Sequence, residues 1–162
     1  MANGTWLIII IVIIVVIVLL AMSSNKKSVN SGSTLSTVLN GAQEIPTNLS
    51  RGAGIFRGNF VNANTLRYNL RVENLTGPPT GAHFHLGSIG QNGPILKNIT
   101  LRASPSPNGT QLWVAEGMWS ALDLQQPLNT ALINELNRGN IYVNVHTAEY
   151  PDGEIRGQIV KS

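Results

Sequence analysis

Three histidines are the side chains best suited to chemistry in this 162-residue chain. His83 and His85 flank Phe84, and His146 ends the run Ile141-Tyr142-Val143-Asn144-Val145-His146. Side chains two apart on a strand leave it on the same face. His83 and His85 therefore share one face, while Ala82, Phe84 and Leu86 take the other. His146 falls opposite Val143 and Val145 by the same rule. If the two strands are neighbours, three imidazoles converge into a donor set suited to one copper or zinc ion. Glu149, Asp152 or Glu154 is the candidate fourth ligand. The competing reading gives each histidine a structural hydrogen bond to a backbone carbonyl or polar neighbour. On that reading no cofactor is the first expectation, and copper or zinc is the alternative.

Other chemistries find little material. The chain has no cysteine, which excludes disulfides, thiolate metal sites and thiol nucleophiles. It has no phosphate-binding glycine motif and no serine elbow with a partner base. Gly41, Gly87, Gly93, Gly153 and Gly157 are expected to set turns, bulges or close backbone contacts. Glu154 and Arg156, two apart, could pair with each other or across strands, and Arg156 could order Glu44. Trp113 and Trp119 are expected to pack in or beside the core.

The elements that must position the histidines are read from alternation. Leu66-Arg67-Tyr68-Asn69-Leu70-Arg71-Val72 and Ile141–His146 alternate apolar and polar, the mark of strands with one buried face. Shorter runs fall at Thr37–Leu39, Gly54–Val61, Ala82–Leu86, Ile95–Leu101, Gln111–Glu116 and Glu154–Val160. Gly, Pro and Asn punctuate them at 77–79, 91–94, 105–109 and 151–153. Leu128, Leu132 and Leu136 instead recur every fourth residue between Pro127 and Gly139, which predicts one short helix. The expected fold is all-β: a Greek-key β-sandwich of about eight strands with one short helix.

Before this domain lies a different kind of segment. Trp6 to Met22 carries no charge, and Leu7 to Leu20 are all Leu, Ile or Val. A helix over these residues reaches roughly 28 Å, near the hydrocarbon thickness of a bilayer. The expected organisation is a transmembrane anchor at 1–23, a Ser/Asn/Lys-rich tether at 24–36 and the β domain at 37–162. A cleaved signal peptide is the competing reading, with Ala21 and Ser23 near its cleavage site, but no basic residue precedes the apolar run. The side of the membrane stays open. Lys26 and Lys27 favour a cytoplasmic domain, whereas five Asn-x-Ser/Thr sequons (Asn3, Asn48, Asn74, Asn98, Asn108) suit an external one.

Formal net charge is +3, yet from Thr34 onward nine Lys or Arg meet eight Asp or Glu. The excess sits at Lys26 and Lys27, where anionic headgroups would be. No basic stripe with interleaved aromatics appears, so nucleic acid is not an expected partner.

Three motifs in order give the chain a resemblance. Leu39-Asn40-Gly41-Ala42-Gln43-Glu44-Ile45-Pro46 resembles the opening of the chordin-type (CHRD) domain family. Ala82-His83-Phe84-His85-Leu86-Gly87 with Asn92-Gly93-Pro94 is similar to its centre. Tyr142-Val143-Asn144-Val145-His146-Thr147 with Gly153-Glu154-Ile155-Arg156-Gly157-Gln158-Ile159 resembles its close. The resemblance implies an all-β extracellular or surface module with no general agreed activity. The His-x-His spacing is also similar to the copper ligands of copper–zinc superoxide dismutases, although three histidines are too few for two metals.

The first functional expectation is thus a membrane-tethered CHRD-like binding or structural module without catalytic activity. Its partners would be the bilayer, through residues 6–22, and an unnamed protein. Envelope or surface architecture is a variant of the same idea. The alternative is a copper- or zinc-binding protein, with superoxide-dismutase-like redox chemistry at His83, His85 and His146.

Overall fold

The structure is a computed structural model that describes residues 34–106 and 109–162. Ten strands and one α-helix follow in chain order: β1 (Thr34–Asn40), β2 (Ala53–Asn62), β3 (Thr65–Glu73), β4 (Pro79–Leu86), β5 (Ile95–Asn98), β6 (Arg102–Ser104), β7 (Leu112–Ser120), α1 (Thr130–Arg138), β8 (Ile141–Thr147), β9 (Ile155–Gln158) and β10 (Val160–Lys161). No helix among the described residues is long and apolar enough to cross a membrane, and the expected anchor at 6–22 lies outside them.

Alternation leads one to expect two separate stacked sheets. Hydrogen bonding is instead continuous through β5-β4-β8-β9-β1-β2-β3-β7-β6, with β10 against β1. The halves meet at a narrow joint, the single pair Asn40–Arg156 between β1 and β9. The sheet curls there, so the β4-β8-β9 half faces the β1-β2-β3-β7 half as layers of a sandwich do. Phe84 of β4 crosses the gap: its ring lies 5.6 Å from Phe56 of β2, 5.2 Å from Tyr68 of β3 and 4.9 Å from Trp119 of β7. Leu39, Leu66, Leu70, Val143, Val145 and Ile155 complete this core with no exposure to solvent. Burying each such side chain is worth about 1.5–3 kcal/mol, which offsets the entropy of ordering the chain.

β1 begins at Thr34, so three residues read as the end of the tether lie in the sheet. Leu35 is the reason: it is fully buried and pairs with Gly58 of β2. The predicted helix forms as α1, but Asn129 rather than Pro127 starts it, its side chain accepting the backbone N–H of Leu132. Gly139 ends the helix in the left-handed conformation.

β8 departs from its alternating pattern. It sits between β4 and β9 and is covered on both sides, its polar Asn144 nearly as buried as Val143. The polar face of β4-β8-β9 is therefore not an open surface. The segment joining β4 to β5 folds back over it, and so does the turn between β8 and β9.

Candidate metal centre

The outer face of β4-β8-β9 is built in rows. His83 of β4 pairs with Asn144 of β8, and Asn144 with Arg156 of β9. His85 pairs with Tyr142, and Tyr142 with Gln158. Gly81 pairs with His146 and leaves room for the neighbouring imidazole of His83, which a Cβ at Gly81 would approach to 3.1 Å. Strand neighbourhood thus supplies the condition that alternation alone left open. One nitrogen from each of His83, His85 and His146 lies within 4.8 Å of the other two.

Backbone carbonyls fix two tautomers. His85 Nδ1 lies 2.9 Å from the Gly93 carbonyl, and His146 Nδ1 lies 2.9 Å from the Pro151 carbonyl. A carbonyl only accepts, so each Nδ1 carries a proton, and the Nε2 of neutral His85 keeps its lone pair. The His85 Nε2 lone pair is buried and has no hydrogen-bond partner. His83 Nδ1 stands 3.1 Å from His146 Nε2, to which it can donate. Asn144 Oδ1 lies 3.1 Å from the same Nε2, within hydrogen-bond distance. Burial, then the neighbouring imidazoles of His146 and His85, lowers the His83 pKa to about 4. Burial likewise lowers that of His85. Both rings are neutral near neutral pH, the state in which imidazole binds metals.

Local sequence explains why the face holds together. A Cβ on Gly93 would fall 1.6 Å from the Leu86 carbonyl oxygen, so only glycine lets the 87–94 segment close on β4 and bring its carbonyl to His85. Arg156 holds that segment from β9, donating to the carbonyls of Ser88 and Gln91 and to Asn92 Oδ1. Its guanidinium also lies 3.5 Å above the centre of the Tyr142 ring. His85 stacks on Tyr142 as well, with centroids 4.8 Å apart. Gln158 donates to the carbonyls of Gly87 and Gly139.

The expected fourth ligands are not in this group. Glu154 is fully buried and committed elsewhere: it accepts from the hydroxyls of Ser50, Thr76 and Thr147 and from the Thr76 N–H. Glu149 and Asp152 are exposed and do not join the three histidines. Nor does Glu154 pair with Arg156, whose contacts are carbonyls, amides and a ring. Asn144 is the residue sequence reasoning missed. Its place on the histidine face was visible in the alternation, but an amide in a strand gives no other signal.

The chain matches the family model for the CHRD domain over residues 35–159. It belongs to that family. The three motifs of this CHRD domain line the centre just described: the second carries His83 and His85, and the third carries Asn144, His146 and Arg156. The first supplies Glu44, close enough to Arg156 for their charges to interact. No curated protein and no solved structure matches the chain.

Chemically, the donor set is three imidazoles and one amide oxygen, with no thiolate or carboxylate. Imidazole nitrogens suit zinc and copper. Two nitrogens bonded at about 2.0–2.1 Å to a tetrahedral ion stand about 3.3 Å apart. The 3.1 Å between His83 and His146 is close to that edge. The 4.8 Å limit of the group requires one imidazole to move in by about 1.5 Å.

Proposed function

We propose that this CHRD domain is a binding module whose ligand is a single copper or zinc ion, held by His83, His85 and His146 with Asn144 beside them. The observation that carries the reading is the convergence of His83, His85 and His146, one nitrogen of each within 4.8 Å of the other two, with the buried Nε2 of His85 making no hydrogen bond. A buried acceptor left unmade costs about 1–3 kcal/mol, a cost an ion in the cluster removes. Support also comes from the Nδ1–H···O=C bonds of His85 and His146, the outer-shell arrangement that orients metal-ligating histidines. The ion would supply a Lewis-acidic charge. The residues described here bind it, orient its ligands and screen it from solvent on one side.

Elemental analysis of the purified chain, loaded with copper or zinc and then desalted, tests this. About one ion per chain is expected, and excess ion at about a hundred times Kd should raise Tm by roughly 5–10 °C. His83→Ala and His85→Ala should each lose the ion while still melting cooperatively. Wild-type chain that retains neither metal and melts unchanged in their presence overturns the reading.

We also propose that the module is tethered to a bilayer through residues 6–22. The uninterrupted aliphatic run from Leu7 to Leu20 supports this. Retention of the full chain in vesicles after alkaline carbonate is the expected result, and its release would remove the anchor.

A further inference from the structure

The other half of the sheet presents a second, unrelated surface. On the outside of β1, β2, β3, β7 and β6 the paired rows read Val38-Ile55-Arg71-Val114-Arg102, then Ser36-Arg57-Asn69-Glu116, then Thr34-Asn59-Arg67-Met118. Arg57, Arg67, Arg71 and Arg102 are all exposed. The ion pairs among the described residues, Lys97–Asp123 and Arg138–Glu135, involve none of them. From Thr34 onward the net charge is only +1, whereas this face sets four arginines against Glu73 and Glu116, a local excess of positive charge. Part of this face is concave: a groove of about 850 Å³ is lined by Arg57, Arg67, Asn69, Glu116 and Met118.

Where the chain enters the domain identifies the occupant. Thr34, the first described residue, and Ser162 line the same groove. Eleven residues, 23–33, separate Thr34 from the proposed span at 6–22, and they include Lys26 and Lys27. Fully extended they reach at most about 40 Å, so an anchored domain stays within that distance of the headgroup layer. Met118, 60 % exposed beside Arg67, adds an apolar side chain that can enter that layer. We infer that the arginine face of β2, β3, β7 and β6 lies on the bilayer and binds anionic lipid headgroups. The β4-β8-β9 half, with the histidine centre, is the other layer of the sandwich and is directed away from the membrane. This rests on the tether reading and is independent of the metal.

The absence of cysteine allows a clean probe. Met118→Cys in the full chain, labelled with an environment-sensitive fluorophore, is compared in neutral vesicles and in vesicles containing phosphatidylserine. Leu124→Cys, at an almost fully exposed loop position, is the control. Shielding of the Met118 label from an aqueous quencher, several-fold greater with anionic lipid and absent at Leu124, is expected. High salt should reverse it, and Arg57→Glu with Arg67→Glu should weaken it about tenfold or more. Carbonate extraction of the same sample reads the anchor separately. A retained chain whose label is quenched equally in both vesicles keeps the anchor and overturns the face. A released chain still shielded on anionic vesicles removes the anchor and keeps the face. Shielding by soluble heparin but not by anionic vesicles overturns the proposal in favour of a polysaccharide.

Discussion

The ring of His85 lies flat against that of Tyr142, with centroids 4.8 Å apart and planes within 8° of parallel. Tyr142 is on the strand between, held in turn by the guanidinium of Arg156. His85 is thus oriented by a stack on one side and by the Gly93 carbonyl at its Nδ1. Tyr142→Leu keeps the core volume roughly but removes the stack and the hydroxyl that accepts the Gly93 N–H. Metal affinity should fall about tenfold to a hundredfold while the chain stays folded. Competition with a chromophoric chelator measures this, and unchanged affinity would show that the stack does not orient the ligand.

The buried Glu44 and the half-buried His83 oppose each other in pH. Burial raises Glu44 to about 7 against the counteracting charge of Arg156, and its Oε1 has no partner. The folded state therefore holds this proton more tightly than the unfolded one. Its effect is to lower stability as pH rises from about 4.5 to about 7. His83, lowered to about 4, does the reverse: stability falls as pH drops from about 6.5 toward 4. Denaturant unfolding of metal-free chain from about pH 5 to pH 8 should show Glu44→Gln gaining most above pH 7 and flattening the falling limb. A variant curve parallel to wild type would mean that Glu44 is not the titrating group.

Glu154 accepts four hydrogen bonds in a site closed to solvent. Glu154→Gln turns one acceptor into a donor facing donors. A loss of about 2–4 kcal/mol is expected, with metal stoichiometry of the folded fraction unchanged. Loss of the ion without loss of stability would instead make Glu154 a ligand.

Phe84 stands between His83 and His85 in sequence and joins the two halves of the sheet on its inner side. Phe84→Ala should cost about 3–5 kcal/mol, read from the shift in denaturant midpoint. Because the same strand carries both histidines, metal binding should weaken with it. A cost below about 1 kcal/mol would mean that the halves are held by other contacts.

Sequence alone determined the class of structure and the membership of its faces. Alternation in β3, β4 and β8 assigns Leu66, Tyr68, Leu70, Phe84, Val143 and Val145 inward and His83, His85 and His146 to the polar faces of their strands, because strand geometry has period two. The leucines every fourth residue, with Gly139 after them, marked α1 for a similarly local reason. Only the tertiary structure decided what lies beside what. Pairing of β4 with β8, 63 residues apart at His83 and His146, is a long-range choice with no local signal. The same holds for the single Asn40–Arg156 joint, which makes one curled sheet from what alternation suggests are two. The cover over the histidine face came from Gly93 and Arg156, whose contacts depend on a chain returning from elsewhere. Covering that face left the His85 lone pair buried without a hydrogen-bond partner, and this distinguishes a candidate ligand from a surface histidine.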